Sequence, residues 1–186
     1  MVARADRHVK MPDLKRQREL HGAIELMFFG YRAMVARADR LLESRGLTRV
    51  HHRIVYFVAR MGRPQVNELL RVLGVSKQAA NGPLRDLYAQ QLLTFERDAA
   101  DMRVKRLALT PAGRRLEGRL SALQRQQLAA VFDAAGADAE AGWRAAMLHF
   151  AGPEIARAGF SLSGAQPIVE GAPPPRKDAH GPGDRA

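Results

Sequence analysis

Apolar residues recur from Leu20 at Ile24, Met27, Tyr31, Met34, Ala38 and Leu41, in alternating steps of four and three. That spacing predicts a long helix with a heptad seam. Phe28, Phe29, Val35 and Leu42 widen its apolar stripe. One small domain covers less surface than that, so a partner helix is expected. Gly46 should end this helix and Thr48 cap the next, whose core positions are Ile54, Phe57, Val58 and Met61. Gly62 and Pro64 then punctuate, with Pro64 expected in the first turn of a short third helix. Val66, Leu69, Leu70 and Leu73 share one face of it. After a tight turn at Gly74, Ser76 can cap a fourth helix with Ala80, Leu84 and Leu87 as its buried stripe. Two short helices joined through such a turn form a helix-turn-helix.

The period then changes. LLTFER and MRVKRLALT alternate apolar or β-branched residues with polar ones, and DAAD lies between them. This predicts a β-hairpin whose charged tip, Asp98 to Arg103, is exposed. Thr110 caps a following helix with Pro111 at its first position, striped by Leu116, Leu120, Leu123, Leu128 and Val131. A last helix around Ala139–Ala151 carries Trp143, Met147 and Phe150. The expected fold is mainly α with a small β-hairpin wing, a winged helix-turn-helix. The segments expected are a basic N-terminal arm over 1–12, a first helix within 13–47, the winged unit over 48–110 and terminal helices over 111–160. A disordered Pro/Gly-rich tail over 161–186 completes the chain.

One stretch resists this pattern. Gly82-Pro83 sits inside SKQAANGPLRDLYAQQLL, the fourth helix, and proline in a helix interior costs roughly 3 kcal/mol. Either the helix kinks at Pro83, losing the bond to the Ala79 carbonyl, or a fresh helix starts near Asn81, a good cap residue. The kink is favoured. In both cases the aim of Lys77 and Gln78 changes relative to Arg85.

Charge gives the helices a partner. The 186 residues carry a formal net charge of +11, which suits a polyanion. It is concentrated. Arg60 to Arg85 holds five basic residues against Glu68, and Arg97 to Arg119 holds seven against Asp98, Asp101 and Glu117. From Asp133 to Glu170 the balance reverses. Ser76, Lys77, Gln78, Asn81 and Arg85 on the fourth helix are suited to phosphates and base edges: Arg or Lys with guanine, Asn or Gln with adenine. Double-stranded DNA is the partner expected.

Arg97, Asp101, Arg103, Leu107, Leu109, Thr110 and Gly113 fill the places of a spaced pattern. It runs Arg, two or three residues, Asp-x-Arg, three residues, Leu-x-Leu-Thr, two residues, Gly. In this the segment resembles the wing of the MarR family of bacterial transcription regulators, and the resemblance spans roughly Asp13 to Ala151. The family implies a homodimer whose terminal helices form the dimerisation body, with the fourth helix in the major groove and the wing in the neighbouring minor groove. The resemblance makes Arg103 the minor-groove residue, oriented by an ion pair with Asp101, with Arg97 and Lys105 beside it on the wing. It also implies an effector pocket where the first and second helices approach. Phe28, Tyr31, His51, His52, Arg53 and Tyr56 are the candidates there for a small aromatic or anionic ligand. The Gly-Pro pair departs from the family's usual uninterrupted helix.

Other chemistry finds little support. Adjacent residues point about 100° apart on a helix, so His51 and His52 do not suit one metal, and neither metal nor cofactor is expected. The chain has no cysteine, which removes thiol nucleophiles and thiol redox switches. It has no GxGxxG, P-loop, HExxH or GxSxG motif, so no enzyme and no catalytic residue is expected. The N-terminus lacks a secretory signal and no run of about 18 apolar residues spans a membrane. A cytoplasmic protein is expected. MVARADR occurs at Met1–Arg7 and again at Met34–Arg40; nothing in the sequence explains it. The function expected is a DNA-binding repressor on a pseudo-palindromic operator, relieved by a small ligand. The alternative is an architectural, nucleoid-type protein that coats DNA without reading it.

Overall fold

Helix signals and caps in the sequence translate into eight elements in the computed structural model, which describes residues 14–98 and 101–162. The expected N-terminal arm, and the tail from residue 163 onward, lie outside these residues. In order the elements are α1 (Leu14–Glu43), α2 (Arg49–Met61), α3 (Val66–Leu73), α4 (Lys77–Ala89), β1 (Leu93–Arg97), β2 (Lys105–Leu109), α5 (Pro111–Ala135) and α6 (Ala137–Ala158). The fold is a mainly helical winged helix-turn-helix. Among the described residues no helix is long and apolar enough to cross a membrane.

The junctions form largely through local chemistry. Gly46 adopts φ 66°; its N–H donates to Glu43 O, and Leu47 N–H reaches back to Leu42 O, each at 3.0 Å. That pair closes α1 as a Schellman turn. Ser76 Oγ accepts from Ala79 N–H at 3.2 Å, and Thr110 Oγ1 from Gly113 N–H at 3.0 Å, so both act as the expected caps. Pro64 departs from expectation. The cap of α3 is Gln65, whose N–H donates to Glu68 Oε2 at 2.7 Å. Pro64 therefore precedes the cap instead of entering the first turn. Its buried position and free carbonyl serve a strand instead: Leu107 N–H donates to Pro64 O at 2.8 Å.

The Gly-Pro pair neither splits α4 nor shifts its start, because the helix runs unbroken from the Ser76 cap. Proline's δ-carbon clashes mainly with the Cβ and N–H of the residue before it. Gly82 has no Cβ, so much of that clash is absent. Ala80 and Leu87 are buried and Leu84 packs against the core, which holds both halves in one stripe. The sixth helix makes the same arrangement with Gly152-Pro153 and runs on to Ala158, past the expected end near Ala151.

The core gathers under the wing. Leu42 and Leu47 from the α1 end, Ile54, Val55 and Val58 from α2, Leu69 from α3 and Leu87 from α4 meet Leu93, Leu107 and Leu109 of the hairpin and Leu116 and Leu120 of α5. The strands pair antiparallel from Leu93↔Leu109 to Arg97↔Lys105. Burying such side chains contributes about 1.5–3 kcal/mol each. By contrast α1 buries only Val35, Ala38 and Leu42, and its seam residues Leu20, Ile24, Met27 and Tyr31 stay exposed. None of the α6 residues is buried.

One close approach fixes where α5 leaves the sheet. A Cβ built on Gly113 would stand 2.0 Å from the carbonyl oxygen of Leu92. Gly113→Ala is therefore expected to destabilise the fold by about 1–3 kcal/mol, the usual cost of overpacking. A lowered urea midpoint at unchanged slope would show it; an unchanged midpoint would mean the corner gives way freely.

Candidate nucleic-acid interface

The cap at Ser76 and the inward stripe of α4 decide which residues α4 turns outward. Ser76, Lys77, Gln78, Asn81 and Arg85 are all exposed. Among the described residues none of the side chains of Lys77, Gln78, Asn81 and Arg85 is engaged in a hydrogen bond or ion pair, while Ser76 Oγ is used as the cap. They form an open polar row beside the missing rung at Pro83.

The wing presents a second such group. Arg97, Arg103 and Lys105 are exposed. Asp101 and Arg103 do meet, but not as the expected ion pair. Asp101 Oδ1 accepts from the backbone N–H of Arg103 at 2.9 Å. Two residues apart in a tight turn, the carboxylate reaches the amide before the guanidinium, which leaves the Arg103 side chain free to point outward. The tip is closed further by Asp98 N–H to Val104 O at 3.0 Å and Val104 N–H to Asp101 O at 2.9 Å. Asp98 Oδ1 accepts from Asp101 N–H at 3.3 Å.

A seam that the sequence pattern did not signal ties this wing to the helix-turn-helix. Arg63 has φ 69°, a left-handed conformation in a residue that is not glycine, which costs roughly 1–3 kcal/mol. Its side chain pairs with Glu96 of β1 at 2.8 Å. From β2, Arg106 bonds the Asp98 carboxylate through Nε, reaches Arg63 O at 3.3 Å, and faces Glu68 of α3 at 3.9 Å. Asp98 holds the guanidinium pKa above its ordinary value. Together with the Leu107–Pro64 bond, these contacts stitch β2 to the entry of α3. Arg63 and Arg106 are 43 residues apart, so no local spacing could reveal them.

Of the six pocket candidates, Tyr31 and Arg53 are brought together by a hydrogen bond, and the other four make contacts of their own. Phe28 lies on the exposed part of α1, edge-on to Phe29 and beneath Arg32. Tyr31 receives a hydrogen bond from Arg53 at 3.0 Å, while Arg49 stacks on its ring and pairs with Asp39 at 2.7 Å. Tyr56 contacts Phe57 and Arg60. His51 turns away: its Nδ1 accepts from Thr48 N–H at 2.9 Å and its Nε2 faces Asp86 of α4 at 3.4 Å. It is thus a capping residue that also touches the outward helix. His52 is buried, and its Nε2 has no hydrogen-bond partner among the described residues. An open groove of about 740 Å³ lies elsewhere, lined by Tyr88, Gln91, Leu93, Thr94, Pro111 and Arg115 among others. No group of His, Asp or Glu among the described residues could hold a metal.

Comparison with known proteins places the chain in a family. A family model described as MarR family matches residues 45–103, the span from the α1–α2 corner through the wing tip. The HTH-type transcriptional regulator PetP of Rhodobacter capsulatus is 38% identical over 139 residues, covering 75% of this chain and 84% of that protein. This chain belongs to the MarR family of transcriptional regulators. It is accordingly a regulator and not an enzyme. Solved structures share the fold: the MarR family transcription regulator SP03579 superposes with a TM-score of 0.62 at 18% identity, covering 79% of this chain and 97% of that one. NadR in complex with 4-hydroxyphenylacetate gives 0.56 at 18% identity, covering 67% and 89%.

In this family member the buried histidine yields a pH prediction. Burial pushes the His52 pKa below its ordinary value near 6.5, opposed by the charges of Glu117 and Asp39. The unfolded chain then binds more protons than the fold between the lowered value and about 6.5. Stability is complete above about pH 6.5 and is lost as pH falls through that window. Urea midpoints should drop from about pH 7.5 to pH 5.5, and His52→Leu should flatten that part of the profile. An unflattened profile would assign the loss to other groups.

Proposed function

We propose that this protein is a homodimeric repressor that reads a pseudo-palindromic operator, with α4 in the major groove and the wing in the minor groove. The observation that carries this reading is that α4 and the neighbouring wing both present exposed cations that no carboxylate among the described residues pairs. Arg49, Arg63, Arg106, Arg144 and Arg157 are occupied by carboxylates within the chain. Lys77 and Arg85 on α4, and Arg97, Arg103 and Lys105 on the wing, have no carboxylate partner among the described residues and are exposed. Cations held by the fold are of little use to phosphate; these five remain available to it. Gln78 and Asn81 between them offer paired donors and acceptors for base edges.

The exposed α1 seam supports the dimer. Ile24, Phe28 and Phe29 are 64%, 57% and 61% exposed, and Val131, Trp143 and Phe150 of the terminal helices are 54%, 46% and 69% exposed. Apolar surface this extensive is ordinarily covered by a partner, and a second copy aligns two reading helices on two half-sites. The effector site in this proposal lies around Tyr31 and Arg53, beside buried His52, where a phenol and a guanidinium with no carboxylate partner among the described residues suit an aromatic anion. The complex of NadR with 4-hydroxyphenylacetate makes such a ligand a reasonable first probe. The expected segments over 48–110 and 111–160 serve in this proposal as the DNA-binding unit and part of the dimer body.

Fluorescence anisotropy against the DNA upstream of its own gene, beside a scrambled duplex, tests the reading. A preference of about 10³ or more at physiological salt is expected. Equal binding that collapses with salt would favour a coater instead. Arg103→Ala should weaken operator binding by about 1–3 kcal/mol while leaving the dimer intact. Ile24→Glu combined with Phe28→Glu should yield monomers in sedimentation; a persisting dimer would move the interface off α1.

A further inference from the structure

We infer that Arg106 is a positioning residue for DNA reading: it sets the minor-groove side chain Arg103 through a relay of two aspartates. The inference rests on the proposal that the wing enters the minor groove. The relay can be followed bond by bond. The Arg106 guanidinium, half-buried on β2, holds the carboxylate of Asp98. The other oxygen of that carboxylate accepts the Asp101 N–H at 3.3 Å. The Asp101 carboxylate in turn accepts the Arg103 N–H at 2.9 Å. The near end of the relay is anchored to the helix-turn-helix, since Arg106 also donates to Arg63 O at 3.3 Å and faces Glu68 in the first turn of α3.

Two physical consequences distinguish Arg106 from the free cations of the wing. Its charge is matched by Asp98 and Glu68, so it adds little to the pull on phosphates; its contribution is geometric. A planar guanidinium with fixed donor directions suits that task, whereas a lysine supplies the charge without the fork. In the same way Asp98 is a carboxylate close to where phosphates would lie. On charge alone its removal should tighten DNA binding. If it positions the tip, its removal should weaken binding.

The test uses the full-length protein and the duplex that the wild type enriches most from a random-sequence pool. Arg103→Ala, Arg106→Gln and the double variant are compared by anisotropy, with melting temperature and dimer state recorded for each. Arg103→Ala and Arg106→Gln should each raise Kd by about tenfold, and the double variant should stay within about twofold of the worse single one, because both remove the same contact. Multiplied losses, or an Arg106→Gln Kd within about twofold of wild type, would overturn the relay while leaving the wing reading in place. An inert Arg103→Ala would overturn both. Asp98→Asn decides the matter independently if Arg106→Gln folds poorly. Weaker binding by that variant supports positioning, and unchanged or tighter binding overturns it.

Discussion

The carbonyl of Leu92 joins the two halves of this molecule. It accepts the Thr110 N–H at 3.2 Å, and Gly113 passes so near it that no side chain fits between. Thr110 meanwhile donates its hydroxyl to Gln91 O at 2.6 Å and accepts the Gly113 amide. Three hydrogen bonds and one close approach within a few residues thus fix the direction in which the 25-residue α5 departs from the hairpin. That direction sets how the wing and α4 stand relative to the helices bearing the exposed seam. The corner therefore holds the wing and α4 in one fixed relation to those helices.

The rest of the reading unit follows from a second seam at the entry of α3. Arg63 holds a left-handed conformation that its own chemistry disfavours, and it is kept there by bonds to both strands of the hairpin. Pro64 contributes a carbonyl rather than a helical turn. The wing is consequently not a loose arm but an extension of the helix-turn-helix. In the proposed DNA complex it would lose less conformational entropy on ordering.

Much of this was legible along the chain because it is local. Thr48, Ser76 and Thr110 act within three or four residues, and the heptad seam of α1 and the alternation of the strands repeat at short period. Two features escaped. The contact of His51 with Asp86 is one, because Asp86 lies 35 residues away on another helix and only the fold brings it near. The role of Arg106 gave no local signal, since nothing in its neighbourhood says that Glu68 and the Arg63 carbonyl are near. The prolines fared differently: the helix continues through Gly82-Pro83, as the favoured reading had it, and also through Gly152-Pro153, where an end was expected, whereas Pro64, which suits a helix start, lies outside one.

The gap in the α4 hydrogen-bond ladder has a mechanical meaning. With no donor at Pro83, the Ala79 carbonyl has lost its helical partner, and a helix bends most readily where a rung is absent. Lys77 and Gln78 lie before that point and Arg85 lies after it. If α4 enters a groove as proposed, the missing rung gives its outward face a point at which to bend along the groove without unwinding a turn. Its two ends answer to different supports: the first to the Ser76 cap, the second to His51 and to the Arg45 carbonyl that Gln90 holds at 3.3 Å.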